Sequence, residues 1–168
     1  MAECRNPDSF EDWYALEHPR LIATLLLSTG DIDLATEGVD EAFTRALEQW
    51  DRVRAMESPT GWALTVAFNH ARRMAKRRTL ERRLLFRRPQ QSPIPAPAGE
   101  IWHLVAVLSP RQREVVVLRH IADLREGEIA DVLGISRSTV SSTLVDAHTR
   151  LGHLLDEEHQ VEENKPNV

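Results

Sequence analysis

A helix-turn-helix pattern between Glu126 and Leu144 constrains the fold of this chain more than any other feature of the sequence. Ala130 is small enough to let two helices cross closely, and Gly134 can take the positive φ that a tight turn after the first helix requires. Val140 then supplies an apolar side chain that holds the second helix against the first. The pattern predicts a recognition helix at 137–150, the element that enters the major groove of duplex DNA.

The start of this second helix has the polar character of a DNA-binding face. Ser136 follows the turn and is a natural N-cap, and Thr139 is expected either to support that cap or to contact phosphate. A helical hairpin buried in a core is the alternative, but a core hairpin would not need polar residues at the outward positions. We therefore expect DNA contacts from Arg137, Ser138, Thr139, Ser141 and Ser142.

The charge of the chain is distributed very unevenly. Residues 72–88 contain nine basic residues and one acidic residue, a net charge of +8, whereas the rest of the chain contains 12 basic and 25 acidic residues, a net charge of −13. A concentrated basic segment is typical of a polyanion partner, and a solvated helix face is the alternative. The basic residues are Arg72, Arg73, Lys76, Arg77, Arg78, Arg82, Arg83, Arg87 and Arg88.

The composition argues against several other classes of protein. The single cysteine, Cys4, excludes a disulfide framework and fits a reducing cytoplasm. The longest apolar run, 21–27, is too short to span a membrane, and no secretory signal begins the sequence. The seven histidines are scattered, and no phosphate-binding loop or nucleophile motif is present. We expect no enzymatic activity, no catalytic residue, no metal site and no cofactor.

The hydrophobic periodicity predicts an all-α fold. Apolar residues recur at helical spacing over 10–29 and 31–50, and Ser58-Pro59 marks the cap and first turn of a third helix that continues into the basic segment. The second half predicts a short helix after 101, a helix that starts at Ser109-Pro110, and the two helices of the helix-turn-helix, the last ending at 155.

Four prolines within 89–97 separate two helical units, because proline prevents a helix and favours an extended spacer. We predict a first domain at 8–87, a linker at 88–100, a second domain at 101–155 and a fraying acidic tail at 156–168.

The order and spacing of several short motifs across both units resemble the extracytoplasmic-function (ECF) type of bacterial RNA polymerase sigma factor. The resemblance covers about residues 10–155. In the first unit it rests on Thr29-Gly30-Asp31, Asp40-Glu41-Ala42-Phe43, Arg45-Ala46, Trp50, Pro59, Trp62 and Asn69. In the second unit it rests on Leu108-Ser109-Pro110-Arg111-Gln112-Arg113-Glu114, Glu128-Ile129-Ala130, Leu133-Gly134-Ile135-Ser136 and Thr139-Val140.

The resemblance implies that the first unit is sigma region 2, which docks on the clamp helices of core RNA polymerase and opens the minus-ten promoter element. The segment 31–50 would carry the polymerase contacts, through Asp31, Glu37, Asp40, Glu41 and Arg45. Asn69 would then read a base edge or hold a phosphate, and it shares one helix face with Arg72, Arg73 and Lys76. Arg77 and Arg78 complete this candidate DNA site. Trp62 is expected in the core, with base stacking as the alternative.

The resemblance implies that the second unit is sigma region 4, which reads the minus-thirty-five element with the recognition helix. Arg111 and Arg113 would approach the DNA backbone from the preceding helix. An anti-sigma partner is a further implication of the resemblance, although no residue identifies one.

The chain departs from the family pattern in its charge and packing. Residues 101–151 contain six basic and six acidic residues, so this unit is neutral and is expected to bind DNA weakly by itself, because phosphate neutralisation dominates affinity. Asp146 would repel phosphate. Gly38 costs about 1 kcal/mol of helix propensity relative to alanine, and Phe68 stands where the family commonly has a basic residue.

Two alternatives to a sigma factor stay open from the sequence. One is a helix-turn-helix regulator that acts without polymerase. The other is a degenerate sigma factor that serves as an interaction protein, which the neutral recognition helix would favour.

Overall fold

The computed structural model describes residues 9–84 and 98–163, and every regular element in these two ranges is an α-helix. This confirms the predicted all-α fold for the described part of the chain. The helices are α1 (Phe10–Thr29), α2 (Ile32–Glu48), α3 (Trp50–Arg54), α4 (Pro59–Leu84), α5 (Ala98–Ala106), α6 (Pro110–His120), α7 (Glu126–Leu133) and α8 (Arg137–Glu163). None of the described helices is both long enough and apolar enough to span a bilayer.

The predicted helix starts are formed by side-chain caps. The hydroxyl oxygen of Ser58 accepts a hydrogen bond of 3.1 Å from the Gly61 amide at the start of α4. Ser109 forms a reciprocal capping box with Gln112 at the start of α6. Each cap satisfies amide groups that have no partner within the helix, and therefore local sequence fixes where these helices begin.

Four predicted boundaries differ from the observed ones. Asp31 caps α2 through its carboxylate instead of being the first helical residue, and Trp50 begins the separate helix α3. The predicted linker at 88–100 overlaps α5, which starts at Ala98 immediately after the last proline of the segment. Residues 88–97 of the linker lie outside the described residues, and the domain limits stay a prediction. The helix α8 continues into the predicted acidic tail and ends at Glu163, and the fraying of the tail at 156–168 stays a prediction.

The first half of the structure is built around α2, which packs against both α1 and α4. A tight crossing between α2 and α4 occurs at Gly38, where an added Cβ would lie 2.8 Å from the carbonyl oxygen of Ala67 and 3.1 Å from Leu25 Cδ2. Packing therefore explains Gly38. It lowers the helix propensity of α2, but its lack of a side chain lets α2 and α4 approach closely. Phe68, which follows Ala67 in α4, is fully buried. A basic residue in its place would therefore have to bury its charge in the core.

In the second half, α6, α7 and α8 pack around a small apolar core. Val115, Leu118, Ile129 and Val140 are its most buried side chains. The two halves also contact each other, because α1 packs against α5 and α6, and α4 packs against α7. At one of these contacts the Trp102 ring lies directly over Gly30, so closely that an added Cβ would overlap the ring.

A pair of histidines joins α6 to α8. The Nε2 atoms of His120 and His148 are 3.0 Å apart, which places one ring as donor and the other as acceptor. Burial lowers the pKa of His120 below its usual 6.5, and the positive charges that His148 and Arg119 can carry lower it further. Protonation of His120 therefore opposes the folded state.

Gly38→Ala is expected to destabilise the protein by about 1–3 kcal/mol, because overpacking at the α2–α4 crossing outweighs the gain in helix propensity. Gly152→Ala is the matched control, since Gly152 lies in α8 with nothing within 4 Å of an added Cβ, and it should stabilise by about 0.8–1 kcal/mol. Urea unfolding followed by circular dichroism measures both changes. A Gly38→Ala variant as stable as the wild type would show that the crossing is not tight.

Lowering the pH from about 7.5 to 5 is expected to reduce the free energy of unfolding, in part through His120. The folded pKa of His120 lies below its unfolded value, so the unfolded chain binds more protons in this window and stability rises with pH. His120→Gln should make this dependence shallower, and His153→Gln, at an exposed position of α8, is the control for the removal of an imidazole. Urea titrations at several pH values measure the slopes, and equal slopes in the wild type and His120→Gln would contradict this assignment.

Candidate nucleic-acid interface

The helix-turn-helix is formed by α7, the turn at Gly134 and the start of α8. Gly134 adopts a left-handed conformation with φ 64° and ψ 40°, and the Ile135 amide donates to the Ala130 carbonyl oxygen at 3.0 Å. Ala130 of α7 is buried, and Val140 in the first turns of α8 is fully buried. All three residues that defined the sequence pattern therefore have the roles predicted for them.

The first turn of α8 presents a hydroxyl-rich surface. The Ser136 side chain caps the helix by accepting from the Thr139 amide at 3.1 Å. Its hydroxyl also lies 2.9 Å from Ser138 Oγ and 2.7 Å from Thr139 Oγ1. The predicted contact residues Arg137, Ser138, Thr139, Ser141 and Ser142 are all exposed. Exposed hydroxyl groups at a helix N-terminus suit phosphate or base-edge contacts.

The one cation among these predicted contacts is partly neutralised. Arg137 Nε lies 3.3 Å from Glu126 Oε2 on α7, and the Arg137 side chain is 77% exposed. The pair is weak because both groups face solvent. Nevertheless, the Glu126 carboxylate beside Arg137 would repel an approaching phosphate. The start of α8 therefore attracts phosphate less than an unpaired arginine would.

A second candidate surface lies on α4, where the predicted residues divide into two groups. Asn69, Arg73 and Lys76 are exposed, and their spacing of four and three residues places them on one helix face. Arg77 is also exposed and pairs with Glu81 at 2.9 Å. This face offers one amide and a row of cations to a nucleic-acid strand, which is the combination predicted from the sequence.

Arg72 and Arg78 are held in ion pairs with distant parts of the chain. Arg72 Nη2 lies 3.3 Å from Glu114 Oε1 of α6. Arg78 Nη2 lies 2.7 Å from Glu37 Oε1, and Arg78 Nη1 lies 3.5 Å from Asp31 Oδ2. In this conformation neither guanidinium is available to DNA, although both stay predicted contact residues.

The two arginines predicted on α6 also have intramolecular partners. Arg111 Nη1 lies 3.0 Å from Glu114 Oε2. Arg113 donates to the carbonyl oxygens of Val105, Ala106 and Leu108 at 3.1–3.3 Å. Its guanidinium also lies 4.5 Å from the centroid of the Trp102 ring. These contacts connect the end of α5 to α6. Burial lowers the pKa of Arg113, and the neighbouring Glu114 carboxylate partly offsets that effect.

The predicted polymerase-binding residues form a charged surface on and beside α2. Asp31 and Glu37 pair with Arg78, Asp40 Oδ1 lies 3.1 Å from His18 Nε2, and Glu41 pairs with Arg45. Leu47 on the same helix is 60% exposed, although it directly follows the fully buried Ala46. An exposed leucine beside charged groups is typical of a protein-binding surface, and the polymerase contacts of this surface stay a prediction.

The sequence predicts the place of Trp62 but not the two carboxylates that pair with candidate DNA-contact arginines. Trp62 is half-buried and packs against the core, as expected. Glu114 and Glu126, by contrast, have no role predicted from the sequence, although each carboxylate pairs with a predicted DNA-contact arginine. No local motif marks such a carboxylate, because its partner in the first case is 42 residues away.

Comparison with known families and curated proteins relates this chain to transcription factors of bacteria. Residues 98–151 match the family model described as Sigma-70, region 4. The chain is similar to an RNA polymerase sigma-E factor of Streptomyces avermitilis, with 45% identity over 56 residues, which is 33% of this chain and 31% of that relative. It is also similar to the sigma-E factor of Streptomyces coelicolor, with 28% identity over 148 residues, covering 84% and 83% of the two chains.

Two solved structures share the fold. One is the sigma factor RpoE in complex with the anti-sigma factor NepR from Bartonella quintana, with a TM-score of 0.72, 21% identity, and coverage of 88% of this chain and 96% of that one. The other is CnrH in complex with the cytosolic domain of CnrY, with a TM-score of 0.58, 21% identity and 88% coverage of both chains. At this level of identity the likeness concerns the fold.

Glu126→Gln is expected to raise the affinity of the full chain for duplex DNA, because it removes the carboxylate beside Arg137. The gain should be about two- to fivefold, as expected for an exposed ion pair. Asp131→Asn removes one charge from an exposed position of the same helix and should have a smaller effect. Fluorescence anisotropy with labelled duplex DNA at low salt measures both variants, and equal gains would mean that overall charge alone is responsible.

Proposed function

We propose that this chain, a sigma factor of the extracytoplasmic-function (ECF) type, binds core RNA polymerase and directs it to start DNA-templated transcription at specific promoters. In this role the protein is a cytoplasmic specificity subunit that supplies no chemistry of its own. Polymerase forms the phosphodiester bonds, whereas the sigma factor positions the enzyme and helps to open the duplex.

The observation that carries this proposal is the pairing of two different nucleic-acid surfaces in one chain. One is the capped recognition helix of the helix-turn-helix, and the other is the face of α4 that exposes Asn69, Arg73 and Lys76. A simple helix-turn-helix regulator would need only the first. A second, cationic face with a polar base reader suits the single strand that promoter opening exposes.

We assign the minus-ten element to α4 and the minus-thirty-five element to the start of α8. On α4, Asn69 would bond a base edge while Arg73 and Lys76 hold flanking phosphates. On α8, Ser138, Ser141 and Ser142 would face base edges in the major groove, and Arg137 would contact guanine or phosphate. The neutral charge of the second half means that polymerase must hold this half on DNA.

We assign core polymerase binding to the charged surface of α2, with Asp40, Glu41 and Arg45 as its exposed or half-exposed members. The RpoE sigma factor that shares the fold was solved with the anti-sigma factor NepR, and an anti-sigma factor is accordingly a proposed partner of this chain as well. A degenerate sigma factor that binds polymerase without starting transcription is the remaining alternative.

Reconstitution with core polymerase tests the proposal. We expect the purified chain to bind core enzyme and to produce promoter-specific transcripts in a genome-wide run-off assay. Binding to core without any specific transcript would favour the degenerate alternative, and the absence of both activities would refute the proposal.

Asn69→Ala and Arg73→Ala are expected to reduce promoter opening by about tenfold or more, because each removes a group that contacts the opened strand. Neither should change the affinity for core polymerase. Arg52→Ala, an exposed arginine on α3, is the control for loss of positive charge. Permanganate footprinting and run-off transcription measure the opening, and unchanged opening in both variants would show that the α4 assignment is wrong.

A further inference from the structure

We propose that His120 and His148 together bind one divalent transition-metal ion, which fastens helix α6 to helix α8. His120 is the last residue of α6, and His148 lies near the middle of α8. This site contains none of the candidate DNA-contact residues and does not rest on the proposed function. No sequence motif marks the pair, because the two histidines are 28 residues apart.

The first argument is the distance between the two imidazoles. Their Nε2 atoms are 3.0 Å apart. Imidazole nitrogens lie about 2.0–2.1 Å from a bound metal ion, so two of them that meet the ion at an angle of about 90–110° are about 2.9–3.4 Å apart. The helices α6 and α8 therefore hold the two nitrogens at the separation that a single ion requires.

The second argument is that both rings are free to turn toward an ion. The ring centroids are 5.3 Å apart and the ring planes are inclined by 60°, so the two Nε2 atoms now point at each other, as in an N–H···N hydrogen bond. Both side chains are exposed, and each ring can rotate outward until both Nε2 lone pairs face one ion. The donating imidazole then carries its proton on Nδ1 instead of Nε2.

The third argument is that the backbone on each side of the site is fixed by the core. Ala147, which precedes His148, and Val117, almost one turn before His120, are both fully buried, and α6 packs against α8. Ligands on packed helices keep their separation better than ligands on loops. Metal binding therefore orders only two side chains and leaves the backbone as it is.

The charges around the pair admit a cation. His120 ends α6, and the partial negative charge at a helix C-terminus favours positive charge there. Arg119 opposes a cation at this place, since its charge acts on His120. Its guanidinium is occupied, however, because Nη1 donates to the Leu124 carbonyl oxygen at 3.1 Å.

The ligand set indicates the class of metal and the kind of site. Imidazole suits Ni²⁺, Cu²⁺ and Zn²⁺ better than Mg²⁺ or Ca²⁺. No third His, Cys, Asp or Glu joins the pair among the described residues, so water fills the other positions around the ion. A structural zinc site has four protein ligands. Two ligands give a weaker, reversible site whose occupancy follows the concentration of free metal.

Calorimetric titration of the full-length chain with Ni²⁺, at about pH 7.5 where imidazole is neutral, tests the site. The chain carries Cys4→Ser to remove its single thiol and no histidine tag. We expect one Ni²⁺ per chain in the wild-type background. His120→Gln and His148→Gln should each weaken binding at least about tenfold, because even the loss of a group that only orients a metal ligand costs about 10–100-fold.

His153→Gln is the matched control for this titration. His153 is also exposed on α8, but it lies five residues after His148 and therefore on another face of the helix. This variant should bind Ni²⁺ as tightly as the wild type. A wild-type chain that binds no Ni²⁺, or an affinity in His120→Gln equal to that in His153→Gln, would overturn the proposal.

A third imidazole tests the geometry by a gain of affinity, which loss of stability cannot imitate. Gly152 lies four residues after His148, on the same face of α8, with nothing within 4 Å of an added Cβ. Gly152→His should therefore bind Ni²⁺ more tightly than the wild type. Adding His120→Gln to Gly152→His should weaken binding at least about tenfold, and equal affinities of these two variants would overturn the role of His120.

Thermal unfolding measures whether the ion fastens α6 to α8. With Ni²⁺ at about 100 times its Kd, the Tm of the wild type should rise by about 5–10 °C, because the ion binds the folded chain. EDTA should reverse the rise, and His120→Gln should not show it. An unchanged Tm of the wild type at this concentration would overturn the bridge between the helices. Failure of run-off transcription would refute the proposed function and leave these results unaffected.

Discussion

The Arg113 guanidinium is the interaction on which the arrangement of the two halves depends. It satisfies three carbonyl groups at the end of α5 and stacks on Trp102, and Trp102 in turn covers Gly30. One side chain therefore fixes the angle between α5 and α6 and presents the tryptophan to the first half. The resemblance implied a DNA contact for Arg113, whereas its observed partners give it a packing role that a lysine, with no planar fork, could not reproduce.

The features that sequence predicts well are local ones. The caps at Ser58, Ser109 and Ser136 each depend on residues within three positions, and the left-handed turns at Gly30 and Gly134 depend on the absence of a side chain. The helix α8 runs eight residues past the predicted end at 155, and five of those eight are Glu or Gln, which favour a helix. In each case the feature is determined by interactions between residues within one or two helical turns of each other along the chain.

The features that sequence does not predict are pairings between distant segments. Exposure on α4 follows from helix geometry, but the partners of Arg72 and Arg78 are 42 and 41 residues away. Periodicity cannot reveal such partners, because a charged residue on a solvated face and one in a bridge between halves have the same spacing. The basic segment consequently has less free positive charge than its composition suggests. Among its residues whose side chains the structure describes, Arg73 and Lys76 have no ion pair with another described residue.

The short connection between α4 and α5 has a consequence for how the protein responds in a cell. Because the two halves are joined by only 13 residues, each half experiences the other at an effective concentration in the millimolar range. Their association is intramolecular, so its equilibrium does not depend on how many copies of the protein are present. Synthesis alone would therefore leave the ratio of associated to separated halves unchanged, and only a competing ligand, salt or temperature would change that ratio.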